Sequence, residues 1–172
     1  MSTANKVKVV TGKVRFSYAN VFTPKASVEG GPLKYSVSLI IPKSDTETVS
    51  KLKKAFEDCK AGSAGYFGGA IPKLLKGGLR DGDEEKDDPA YANSYFINAN
   101  SSNKPGIVDA DTQTIIDPSE FYSGCYGRAS VTFYPYNAQG SKGIACGLNN
   151  LQKLEDGEPL GGVSNAAADF AV

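Results

Sequence analysis

Residues 124–136 read GCYGRASVTFYPY. Sorted by parity, the run separates into two sets. Cys125, Gly127, Ala129, Val131 and Phe133 are small or apolar, whereas Tyr126, Arg128, Ser130, Thr132 and Tyr134 are polar or amphipathic, and Tyr136 extends that second set. Alternate side chains of a strand point to opposite faces of its sheet. The first set therefore predicts a core face. The second predicts an outer face carrying three tyrosines and an arginine.

The same periodicity runs outward from this strand. In KVKVVTGKVRFSY (6–18), Val7 and Val9 share one parity and Val14, Phe16 and Tyr18 the other, so a bulge or bend is expected near Gly12. VEGGPLKY (28–35) carries a Gly-Gly-Pro turn signal. KYSVSLIIP (34–42) is the next strand, with Tyr35, Val37, Leu39 and Ile41 on one face, and Pro42 ends it. A helix is expected over 45–60: Ser44 or Asp45 can cap it, and Val49, Leu52, Phe56 and Cys59 recur at helical spacing. AGSAGYFGGA (61–70) breaks it, and 71–79 reads as a short helical turn. DGDEEKDDP (81–89), with six acids and one lysine, reads as a solvated loop. SYFINAN (94–100) is a strand, NKPGIVDADT (103–112) a turn and short strand, and DPSEFYS (117–123) a helical turn. After the opening strand, NAQGSKG (137–143) reads as a loop and GIACGLNNLQKL (143–154) as the last strand. Five or more strands with one inserted helix fit a small barrel, the OB-fold among them; a sandwich fits the periodicity too.

The 172 residues suit one domain. Lysine plus arginine equals aspartate plus glutamate at 19 each, so bulk charge favours no class of partner. The distribution is uneven: 11 basic against 5 acidic side chains over 1–60, then 5 against 10 over 61–120. Three widely spaced cysteines make neither a disulfide framework nor a zinc pattern, and buried free thiols are expected. The opening MSTANKVKVV holds no apolar stretch of signal or membrane length, so a reducing cytoplasm is the expected compartment.

Catalytic signatures are sparse. The chain has no histidine, the commonest general base and metal ligand, and no GxxxxGK[ST] phosphate loop. Asp109, Asp111, Gln113 and Glu120 fall at calcium-loop spacings, but Thr114 stands where the required glycine would be. No catalytic residue, metal site or cofactor is assigned. Aromatic chemistry is abundant instead, with nine tyrosines and eight phenylalanines. Tyr126, Tyr134 and Tyr136 share the polar face with Arg128, Tyr18 follows Arg15 and Phe16, and Tyr95 opens a strand that leads to Lys104. Such rings can stack on unpaired bases while nearby cations neutralise phosphates, and Lys34 and Lys142 could add contacts from loops. Tyrosine is also a good strand former that half-buries with its hydroxyl wet. Phe16, Phe56 and Phe133 fall on apolar parities and are expected in the core.

Five segments taken together resemble a known family: RFSYANVFTPKA (15–26), KYSVSLIIPKSD (34–45), LRDGDEE (79–85), YANSYFINANSSNKPGIVD (91–109) and FYSGCYGRASVTFYPYNAQGSKGIACGLNNLQKLEDGEPLGG (121–162). They are similar to a bacteriophage family, long known only as a domain of unknown function, whose members resemble OB-fold single-stranded-DNA-binding proteins. The resemblance spans about residues 7–163. It implies a mainly β protein with a five-stranded OB-fold-like barrel, one inserted α-helix and long loops over 1–160, and a flexible tail over 161–172. It implies a non-enzymatic protein in the cytoplasm of an infected bacterium that coats unpaired strands during phage replication or recombination. The expected nucleic-acid-binding set is Arg15, Tyr18, Lys34, Tyr95, Lys104, Tyr126, Arg128, Tyr134, Tyr136 and Lys142. Related phage proteins recruit replication partners through a strongly acidic tail; this chain ends NAAADFAV, with Asp169 its one acid there. The alternative is a virion or assembly module using the tyrosine face for protein contacts.

Overall fold

The computed structural model describes residues 6–26 and 28–160; the expected tail, 161–172, lies outside them. Eight strands and two α-helices follow in chain order: β1 (Val7–Val10), β2 (Val14–Ala26), β3 (Leu33–Pro42), α1 (Thr46–Ala61), β4 (Arg80–Asp81), α2 (Gly82–Glu85), β5 (Ser94–Ser101), β6 (Gly106–Val108), β7 (Tyr126–Ala138) and β8 (Ser141–Glu155). Short 3₁₀ turns stand at Pro89–Tyr91 and Pro118–Glu120.

Main-chain pairing closes five of these strands into a ring. β2 pairs antiparallel with β3, β3 with β5, and β7 with β8. β5 meets β8 in parallel at Asn100 and Gly147, and β7 returns to β2 at Val14–Gly127 and Arg15–Tyr126. The remaining three strands are additions to the expected five: β1 lies along β7, β4 on β5, and β6 in parallel on β8.

The parity of 124–136 holds throughout. Cys125, Gly127, Ala129, Val131 and Phe133 are buried, and none of the alternate residues from Tyr126 to Tyr136 is. The core joins that face to Phe16, Val37, Leu39, Ile41, Ile97, Ala99, Ile144, Leu148 and Leu151. All three cysteines are buried free thiols. The expected bend at Gly12 separates β1 from β2, and its N–H donates to Thr48 Oγ1 at 3.1 Å. A Cβ there would stand 2.7 Å from that oxygen, so glycine lets the bend rest on α1. Asp45 caps α1 by accepting from Thr48 N–H, and Val49, Leu52, Ala55 and Cys59 are buried beneath it. Phe56 is partly buried against this core, edge-on to Phe133 at 6.0 Å.

Three local expectations are corrected. Residues 71–79 form no helical turn; they run as bends with a single bridge from Lys76 to Gly143, because Gly77 and Gly78 at φ 116° and 89° leave helical geometry. NAQGSKG is mostly strand: β7 runs to Ala138, β8 starts at Ser141, and Gln139–Gly140 turn with positive φ at both positions, the two-residue hairpin geometry. The acidic stretch 81–89 is solvated as expected, with five of its six acids exposed, but it is not a plain loop, since four of its carboxylates have partners. Asp81 and Asp88 cap the two short helices, and Glu85 pairs with Arg80. The Lys43 ammonium sits 2.9 Å from oxygens of both Asp81 and Asp83.

That last cluster sets a pH dependence. The Lys43 hydrogen bond holds the Asp81 carboxyl below its usual range, and the Asn93 N–H followed by Lys43 does the same for Asp83. A depressed carboxyl stabilises the fold above its unfolded pKa of about 3.9, and the contribution is lost as pH falls through the folded value. The double variant Asp81→Asn, Asp83→Asn is expected to melt below the unmodified chain at neutral pH. Thermal scans should show that gap closing below about pH 4. A gap independent of pH would assign the loss to packing.

Candidate nucleic-acid interface

The outer face of the ring carries an open groove of about 820 Å³. Its floor begins on the β7–β8 hairpin. Tyr136 lies opposite Gly143, and Tyr134 opposite Ala145. A Cβ on Gly143 would stand 2.7 Å from Cε1 and Oη of Tyr136, and one on Gly147 would stand 3.1 Å from Cε1 of Tyr134. Small residues at 143, 145 and 147 therefore leave room for both tyrosine rings to rest across β8. Rings so supported keep a fixed orientation, as a stacking platform needs.

The other wall comes from β5 and β3. Asn98 and Asn100 point outward, since their alternates Ile97 and Ala99 belong to the core. Ser38 and Ser36 stand opposite them on β3. Lys34 lines this groove and also an adjoining depression of about 450 Å³ beside Lys25, Asn20 and Asn100. Lys76 and Arg80 enter from the segment that crosses the start of β8; Lys76 is held there by its main-chain bonds with Lys142 and Ile144. The two depressions together are lined by Lys25, Lys34, Lys76 and Arg80 and by no carboxylate. A chain with no net charge thus presents a locally cationic channel with aromatic side chains in it.

Of the ten predicted residues, the groove gathers Lys34, Tyr134 and Tyr136. The rest are dispersed. Arg15 is committed to main-chain carbonyls, with Nε 3.1 Å from Gly124 O and an Nη 2.7 Å from Glu158 O, and its guanidinium stacks on Tyr126 at 5.3 Å. Tyr126 is on the expected face but near the opposite end of β7, about 26 Å from Tyr134 at strand spacing. Arg128 is exposed outside the groove and donates to Thr11 O at 3.0 Å. Tyr95 shares the inward parity of Ile97 and packs against the core under Lys43 and Lys53. Lys104 lies 4.9 Å from the Phe22 ring centre, and Lys142 sits in β8 on the parity of Ile144 and Cys146. Tyr18 is 60% exposed on a bulge of β2.

Sequence reasoning missed Lys76, Arg80, Asn98 and Asn100. The asparagines had a signal, the outward parity of SYFINAN. The two cations did not, because 71–80 has no periodicity to place it. The GIACG spacing at 143–147 was likewise legible as a bed for rings once β7 was known to pair with it.

The groove lacks a catalytic constellation. No carboxylate lines it, the chain has no histidine, and burial pushes the inward-facing Cys146 thiol up to about 12. Among the described residues no cluster suited to holding a metal ion occurs, and no helix is long and apolar enough to cross a membrane.

The chain as a whole is similar to known phage proteins. Protein p50 of Acyrthosiphon pisum secondary endosymbiont phage 1 is 28% identical over 168 residues, covering 92% of this chain and 90% of p50. The single-stranded DNA-binding protein from bacteriophage Enc34, solved in complex with ssDNA, superposes with a TM-score of 0.75 at 25% identity, over 92% of this chain and 91% of that one. The single-stranded DNA-binding protein gp2.5 of bacteriophage T7 shares the fold, with a TM-score of 0.63 at 16% identity over 97% and 96% of the two chains. The model of the family described as "Enterobacter phage Enc34, ssDNA-binding protein" matches residues 7–172, and the chain belongs to that family, one of binding proteins and not of enzymes.

Proposed function

We propose that this protein binds single-stranded DNA with little dependence on sequence and coats unpaired strands during phage DNA replication or recombination inside the host cell. The observation that carries the reading is the carboxylate-free groove in which Tyr134 and Tyr136 rest on the small residues of β8 beside Lys34, Lys76 and Arg80. Bases stack on the two rings, which needs no sequence code because every base has a π-face, and the cations meet the backbone. Asn98 and Asn100 offer hydrogen bonds that suit any base edge or sugar. The ring order supports an OB-fold. Numbered along the chain, its strands neighbour each other as 1-2-3-5-4 and back to 1, with one parallel pairing, a five-stranded Greek-key ring. The likeness to the Enc34 protein in complex with ssDNA supports the choice of ligand.

Fluorescence anisotropy of labelled oligo-dT against duplex of equal length, at several salt concentrations, tests the proposal. Binding should favour the single strand and weaken steeply with salt. Lys34→Gln should lower the slope of log affinity against log salt by about 0.7, the contribution of one phosphate contact on a single strand. Absence of binding at low salt would leave the tyrosine face as a protein interface, the assembly-module reading, whose contacts salt would hardly change.

A further inference from the structure

We propose that Lys86 is a strand-contacting residue that extends the groove to Tyr18, so that the acidic insertion 81–91 is part of the binding surface. The inference rests on the single-stranded-DNA reading above and names a cation that reading does not use.

Lys86 is the one base among six acids in 81–89, yet it pairs with no carboxylate among the described residues. Four of those six acids are occupied elsewhere: Asp81 and Asp83 by Lys43, Glu85 by Arg80, Asp88 by the N–H of Ala90. Its own N–H closes α2 on Gly82 O, which turns the side chain back over the sheet. The ammonium then sits 5.3 Å from the ring centre of Tyr18, 5.2 Å from that of Tyr91 and 5.3 Å from that of Phe96. Phe96 also carries the Arg80 guanidinium at 5.0 Å, and Arg80 lines the groove. Arg80 and Lys86 therefore share the Phe96 ring, which ties Lys86 to the cationic lining of the groove.

The three rings beneath Lys86 differ in what they can do. Tyr91 and Phe96 are fully buried with Ile40 in a second apolar cluster, and Tyr91 Oη is spent on Ser38. Tyr18 is open. Its backbone sits at φ 47°, a region unfavourable for a bulky residue, within the register break between Ser17 and Asn20. The bulge reverses the inward parity of Phe16 and aims an aromatic ring outward beside an unpaired cation. A ring and an ammonium so placed offer the same pairing of stacking surface and phosphate partner that the proposed function assigns to Tyr134 and Lys34. Base on Tyr18 and phosphate on Lys86 then make the terminal contacts of the bound strand.

The test uses the full chain and oligo-dT of about 12 nucleotides, within the span one such fold covers. Lys86→Gln should weaken binding about fivefold near 0.1 M salt and lower the salt slope by about 0.7, while Lys51→Gln, the same charge loss on α1, should change neither. Tyr18→Ala should weaken binding by about five- to 150-fold with the slope retained. If the unmodified chain binds and Lys86→Gln keeps its slope while melting lower, Lys86 is only a cover for the second apolar cluster and the proposal falls. Failure of the unmodified chain to bind would remove the parent reading, and this one with it.

Discussion

Replacing Tyr134 and Tyr136 together by alanine is expected to weaken oligo-dT binding by about 2–6 kcal/mol, at least about thirtyfold, with little loss of melting temperature. Each stacked base is worth about 1–3 kcal/mol, and the two rings stand two residues apart on one face, so neighbouring nucleotides can use both. The folded state loses far less. Both rings are partly exposed, and the β8 positions beneath them are Gly143, Ala145 and Gly147, which alanine at 134 and 136 leaves uncovered without opening a cavity. The salt slope should be retained, because no cation is removed. That separates this variant from Lys34→Gln, which changes the slope and moves affinity less. A double variant that binds like the unmodified chain but melts well below it would show that the tyrosines hold the hairpin together and that the strand lies elsewhere.

The difference between what could and could not be read from the sequence follows from the range of each signal. Parity in β7 is local, and it correctly divided buried from outward residues from Cys125 to Tyr136. The α1 stripe and the Gly12 bend were legible for the same reason. Parity does not tell position along a strand, so Tyr126 and Arg128 were grouped with Tyr134 although they stand toward the other end of β7. Nor does it register a bulge inside a strand: Tyr18 has the parity of buried Phe16, and only the break at Ser17–Asn20 turns it out. Tyr95 shows the opposite error, an aromatic at a strand start whose inward parity with Ile97 was there to be used. Composition was half right at 81–89: five of its six acids are exposed, but four of the six cap short helices or hold cations, Lys43 from far along the chain and Arg80 from nearby. Lys76 and Arg80 themselves reach the groove through a glycine-interrupted segment with no period. The cationic channel of a net-neutral chain is therefore a product of tertiary placement.

Gly127→Ala is expected to be the most damaging single methyl group in the ring, destabilising the fold by about 3 kcal/mol or more and lowering the melting temperature by about 6–12 °C. Gly127 sits where β7 is paired on both sides, with Val14 of β2 and Lys153 of β8. It is also next to the register shift that follows Tyr126. A Cβ there would lie 1.8 Å from the carbonyl oxygen of Gln152 and 3.0 Å from Cα of Lys153. Those atoms are backbone, so no side-chain rotation relieves the overlap. Strands must part at the point where β2, β7 and β8 close the ring, which sacrifices main-chain hydrogen bonds as well as packing. Gly65→Ala supplies the contrast: nothing stands within 4 Å of the added carbon and φ is not in the left-handed region, so its effect should stay within about 0.5 kcal/mol. Thermal or urea unfolding of the two variants measures the difference. Equal stabilities would mean that β7 and β8 tolerate separation at Gly127, and the ring would then not depend on close contact there. Because Tyr134 and Tyr136 are displayed by the far end of the same β7–β8 pair, the fraction of Gly127→Ala that remains folded should still bind oligo-dT, with loss of binding tracking loss of fold.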